Sequence, residues 1–138
     1  MTILPIIASV AIEFYGPCSS KPLFTGQLPA QFESVGDLTI HFLDKNRIPY
    51  QGTEQGLNSV ASSPTGMAAM EVISDVELRS YGWCYFVDGK VPEVFPNDYS
   101  LKNVKKIQWI FSYAHFKNGV WSGQCSKAFE IKPPFLCH

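Results

Sequence analysis

Residues 81–87 read Tyr-Gly-Trp-Cys-Tyr-Phe-Val and run straight into Asp88-Gly89. No other segment restricts the possible folds as strongly. Strand periodicity sends Trp83, Tyr85 and Val87 to one side and Cys84 and Phe86 to the other, and Asp-Gly signals a tight turn. Residues 107–113 repeat the pattern, with Ile107, Trp109, Phe111 and Tyr113 on one side. Asn118-Gly119, the strongest hairpin signal in the chain, joins that strand to Val120-Trp121. Of the 138 residues 19 are aromatic, and 11 of these, including all three Trp, fall within residues 81–121. An excess concentrated in this way predicts a β-sheet at the centre of a small domain.

The best helix signal precedes the sheet. Ser34 is followed three residues later by Asp37, an approximate capping box. Val35, Leu38, Phe42 and Leu43 share one face, while His41 and Asp44 fall among the polar positions. Gly36 weakens the first turn slightly, and Pro49 prevents continuation. The helix is expected over about 35–46. Residues 10–15 alternate as a first strand, extended back through the apolar stretch 3–12, and residues 23–27 form a short partner. Residues 57–61 read as a short strand and 67–78 as either helix or strand. Residues 129–132 read as a final edge strand before Pro133-Pro134. The expected fold class is α+β: a curved sheet with one main helix packed on it.

Charge and cysteine content narrow the setting. Eleven Lys and Arg against 12 Asp and Glu leave a net charge of −1, without the basic surplus of a nucleic-acid binder. The apolar stretch 3–12 is far short of a transmembrane segment. It also lacks a preceding basic residue and contains Pro5, so it makes a poor signal peptide. The four cysteines, Cys18, Cys84, Cys125 and Cys137, form no C-x-x-C pair and permit two disulfides in three connectivities. Bonds from Cys18 and Cys137 would tie down both ends; four reduced, buried thiols are the alternative. An extracytoplasmic (periplasmic or secreted) placement is expected, with the export signal absent from this sequence; the alternative is cytoplasmic.

The chain carries few parts for catalysis. Cys84 sits between aromatics inside a strand, and only His115 could serve it as a base. Ser62, Ser63 and Thr65 lie in a loop without a G-x-S-x-G elbow. Glu93 and Asp98 read as solvated charges rather than an acid–base pair. His41, His115 and His138 are scattered, and a zinc site would need distant groups such as Cys125, Cys137 and His138. No catalytic residue, metal or required cofactor is expected. The remaining chemistry is aromatic: Trp83 and Tyr85 beside Trp109 and Phe111 form either a stacking platform or the packed core under the helix face, and core is favoured ring by ring.

The order of motifs resembles the transcobalamin-like C-terminal domain family. Gly56-Leu57-Asn58-Ser59-Val60 looks like its Gly-x-x-Ser-Ile strand. Gly82-Trp83-Cys84-Tyr85-Phe86-Val87-Asp88-Gly89 looks like its Tyr/Trp-rich strand and turn. Tyr99-Ser100-Leu101 with Lys106-Ile107-Gln108-Trp109 looks like its last loop and strand. The similarity covers roughly residues 10–113. It implies a ubiquitin-like β-grasp fold for a single domain over 1–138, with a hairpin extension from about 114. It also implies a place near ligand for Tyr81, Trp83 and Tyr85, with Asn58 and Ser59 on the neighbouring strand, and cobalamin as the ligand class of the related carriers. The chain departs from the family in an insertion at 61–80 and in Asn103-Val104-Lys105 where Gly-Asp is expected. The expected function is a non-catalytic module binding a small molecule or a partner; a structural or protein-interaction domain of a secreted bacterial accessory or effector protein is the alternative.

Overall fold

The structure, a computed structural model, describes residues 8–138. The first strand, β1, spans Ser9–Tyr15; the part of the expected strand before residue 8 lies outside the described residues. β1 pairs antiparallel with β2, Phe24–Pro29. Helix α1, Val35–Lys45, follows, and the Ser34 side chain accepts the Asp37 backbone N–H at 3.1 Å as its sequence predicts. Val35, Leu38, Phe42 and Leu43 are all buried. Gly36 has a role that propensity does not show. A Cβ there would lie 2.0 Å from the Glu54 carbonyl oxygen, so only glycine lets the first turn of α1 approach the 53–56 turn.

β3 (Tyr50–Thr53) and β4 (Gly56–Val60) form a separate antiparallel hairpin. The ambiguous 67–78 segment is extended: a 3₁₀ turn at Gly66–Ala69 leads into β5, Met70–Ser74, and then β6, Glu77–Val87. β7, Lys106–Lys117, runs beside β6 in an eleven-pair antiparallel register and hairpins into β8, Val120–Lys127. The main sheet has the order β2-β1-β7-β6-β5. It is mixed, because β1 runs parallel to β7. The fold is therefore α+β, one helix on a mixed sheet.

β7 is the central strand. Its front face, toward α1, carries Ile107, Trp109 and Phe111, each directly opposite Val87, Tyr85 and Trp83 of β6. Trp109 donates its indole N–H to Thr39 of α1 at 2.9 Å, and Phe14 stacks on Phe42 at 5.7 Å, so polar and apolar contacts fix the helix together. The core is closed by Val10, Ile12, Leu38 and Leu43, all fully buried.

All four cysteines are paired. Cys18 bonds Cys137, closing 119 residues of sequence, and Cys84 bonds Cys125. The second bond passes behind β7, because β6 and β8 lie on its two sides. An irregularity in β8, with Gly123 and Cys125 both at positive φ, carries Cys125 over to reach Cys84. Both pairings remove Cys125 and Cys137 from any zinc set. Residues 129–132 are not an edge strand. They enter a 3₁₀ turn, Ala128–Glu130, in which the Ala128 carbonyl accepts from both Ile131 and Lys132. Ala128 is fully buried there, and Phe129 packs on Tyr15 at 5.7 Å. That turn redirects the chain toward the Cys18–Cys137 bond.

Candidate functional site

A cleft of about 510 Å³ lies between β6 and the β3–β4 hairpin, within the range of small-molecule sites. Trp83, Tyr85 and Trp109 form its aromatic wall, and Gly52, Leu57 and Asn58 line it from the hairpin. The hairpin's shape rests on a register shift between Gln51 and Gly52. Gly52 has φ +143°, and a Cβ there would meet the Gly56 carbonyl oxygen at 2.4 Å, so the distortion needs glycine. The third side is the loop after β6. Val91, Val94 and Phe95 stand exposed on it, Phe95 at 65 %. The side chains lining the cleft include none that is charged.

The five residues singled out from sequence are placed differently. Asn58 is exposed and lines the cleft. Trp83 is half-buried; its indole N–H donates to the Ser63 hydroxyl at 2.8 Å, and its ring meets Phe14 and Phe111 edge-on. Tyr85 is 8 % exposed and tilts onto Trp109, with its hydroxyl donating to the Val94 carbonyl. That bond ties the rim loop to the cleft wall. Burial, then Tyr99 and Asp98, push the Tyr85 phenol up to about 12, so it is neutral at ordinary pH.

Tyr81 and Ser59 are both buried. Tyr81 is 7 % exposed and stacks on Phe111 at 5.9 Å; its hydroxyl donates to Glu71 at 2.9 Å, and Arg79 donates to the same carboxylate at 2.8 Å. Burial first, and the bond to Glu71 second, raise the Tyr81 phenol well above its ordinary value. Ser59 is buried and donates to the Ser63 carbonyl at 2.7 Å. The structure thus brings Asn58, Trp83 and Tyr85 together at the cleft and holds Ser59 behind it. The ring of Tyr81 packs in a second cluster with Phe111, Ala69 and Ala128.

Sequence reasoning missed the rim. Residues 92–99 read as a proline-rich polar loop carrying Glu93 and Asp98, both of which are exposed. The signal was Val91, Val94 and Phe95, three large apolar residues within a turn-forming stretch. Among the described residues no three His, Cys, Asp or Glu side chains gather to hold a metal ion, and no helix is long and apolar enough to cross a membrane. The pairing of His115 with Glu77 at 2.6 Å leaves it on a different element contact from Cys84, whose sulfur is bonded to Cys125.

Residues 33–113 match the family described as a domain of unknown function, DUF4430. The match starts beside the cap of α1 and ends within β7. It includes both walls and the rim of the cleft. No curated protein matches the chain.

Proposed function

The chain belongs to the DUF4430 family, and from that premise we propose that it is a non-catalytic recognition domain whose ligand seats in the cleft between β6 and the β3–β4 hairpin. One observation carries this reading: Val91, Val94 and Phe95 remain exposed at the mouth of a concave, uncharged site backed by indole and phenol rings. Exposed apolar groups converging on a pocket mark binding surfaces. The cleft is concave beside a half-buried Trp83, the arrangement that favours a ligand over a wholly structural aromatic strand.

The finer assignments rest on the resemblance to the transcobalamin-like C-terminal domains. We read the architecture as a ubiquitin-like β-grasp. Support comes from the N-terminal β1–β2 hairpin, the following helix and the parallel pairing of β1 with β7 at the sheet centre. A corrinoid is the ligand class that the resemblance favours, and the cleft's neutral aromatic wall suits a large uncharged ring system. No cofactor or metal is needed for this role. The two disulfides support a periplasmic or secreted setting.

The test is an amide and indole NMR titration with cyanocobalamin and a panel of neutral aromatic fragments. Binding should shift the Trp83 indole, Asn58 and the 91–95 amides, and Phe95→Ser should weaken it. If no compound shifts these resonances at about 1 mM, or if every binder maps elsewhere, the cleft is not a ligand site. Binding by fragments without binding by cyanocobalamin rejects the corrinoid assignment alone.

A further inference from the structure

β6 is paired along its full length on one side only. β7 accompanies it from Glu77 to Val87, whereas the register of β5 ends at Ser80. Two hydrogen bonds fix the direction of the backbone groups beyond that point. The Asp88 N–H donates to the Lys106 carbonyl of β7 at 2.9 Å. The Val87 N–H turns the other way and donates to the Lys90 carbonyl at 2.8 Å. Backbone groups alternate sides along a strand. Tyr85, Trp83 and Tyr81 therefore direct their N–H and C=O groups away from β7. Among the described residues no strand pairs with them there.

This edge is reachable. The cleft and two smaller hollows, of about 430 and 280 Å³, all border residues 81–85, and Trp83 lines each of the three. None of the hollows has a charged lining residue. Native sheets usually blunt an open edge with charge, proline or a covering element; residues 81–85, Tyr-Gly-Trp-Cys-Tyr, contain neither charge nor proline.

We propose that residues 81–85 of β6 are a strand-addition site for a neutral, extended peptide segment of another polypeptide. The proposal rests on reading the cleft as a ligand site, and it places a peptide there instead of the corrinoid that the family resemblance favours. Outward N–H and C=O groups recur every second residue, about 7 Å apart, and a polypeptide in extended form repeats its own groups at that interval. β5 bounds the site at one end and the Val87–Lys90 bridge at the other, so about five residues of peptide fit between them. A side chain of that peptide pointing into the cleft meets Val94 and Phe95, which selects an apolar residue there. A second copy of the chain is a poorer occupant, because the β3–β4 hairpin and the rim loop flank the edge across the cleft, leaving room for a single strand but not for a second sheet with its own flanking hairpin.

The probe is the capped, uncharged peptide Gln-Thr-Val-Thr-Phe-Thr-Val-Gln, compared with two isomers N-methylated at alternate residues, one on each edge of the peptide strand. Amide NMR with hydrogen exchange is the readout on the full chain. The expected result is slowed exchange at Tyr81, Trp83 and Tyr85. One N-methylated isomer should bind at least about tenfold more weakly, since it loses backbone pairing, while the other binds as the parent does. No binding by the parent at about 1 mM, equal binding by all three, or edge amides already protected in a homodimer would each overturn strand addition. Fragments that still enter the cleft after such a result leave the cleft reading standing. Loss of both fragment and peptide binding removes both.

Discussion

The indole N–H of Trp109 and the hydroxyl of Thr39, 70 residues apart in sequence, meet at 2.9 Å in the buried interface between β7 and α1. It is a side-chain hydrogen bond joining the helix to the sheet inside an otherwise apolar contact. Thr39→Val keeps the shape and strands the indole N–H. The variant should lose about 1–3 kcal/mol of stability in urea unfolding. Thr39→Ser, which restores an acceptor, should lose less. A loss in Thr39→Val no larger than that in Thr39→Ser would mean that the hydrogen bond adds little to stability.

Gly36→Ala sets helix propensity against a close approach. Propensity alone forecasts a gain of about 1 kcal/mol. The Cβ would instead lie 2.0 Å from the Glu54 carbonyl oxygen, so α1 must shift or the 53–56 turn must give way. A net destabilisation of about 1–3 kcal/mol is expected, with amide shifts reaching the hairpin wall of the cleft. A more stable variant would refute the close approach.

The two disulfides close loops of different size, and their removal should cost different amounts. On chain entropy, losing Cys18–Cys137 across 119 residues costs up to about 5 kcal/mol, and losing Cys84–Cys125 across 41 costs up to about 4. Double Ser variants of each pair, compared in denaturant, test the order. Intact mass should rise by four hydrogens on reduction; a rise of two or none would mean a bond is absent.

Two tyrosines set an alkaline limit. The Tyr85 phenol is held up to about 12, and that of Tyr81 is also raised, in both cases chiefly by burial. In the unfolded chain each ionises near 10, while the folded state keeps its proton. The associated stability is complete below pH 10 and is lost as pH rises from 10 toward 12. Urea midpoints should be level through neutral pH and fall across that window. Tyr85→Phe should flatten part of the fall. Ultraviolet titration of the folded chain should show these two phenols ionising only above the range in which the unfolded chain's tyrosines ionise; ionisation of both near pH 10 would contradict the burial.

Local chemistry made much of the scaffold readable. Ser34 with Asp37 located the start of α1, the spacing of Leu38, Phe42 and Leu43 identified its inner face, and alternation placed Trp83 and Tyr85 on one side of β6. The cleft was less legible because its walls meet through tertiary packing. Nothing local to Ser59 states that its hydroxyl turns to Ser63, and nothing in residues 91–95 states that an apolar rim stands opposite Asn58. Cysteine pairing was open for the same reason: Cys125 reaches Cys84 only through the distorted path of β8 behind β7. The 129–132 segment has strand-like composition, but burial of Ala128 turns it into a 3₁₀ bend.

The Cys18–Cys137 bond also determines how the molecule carries tension. A pull applied ahead of β1 and beyond Cys137 passes through β1 and then directly across the sulfur bridge. Residues 19–136, including α1, both walls of the cleft and the open edge of β6, lie outside that line of force. The described stretch in that line, Ser9 to Cys18, spans about 35 Å when fully extended, and most of it is already extended as β1, so it yields little length while the cleft-bearing part of the fold remains unloaded.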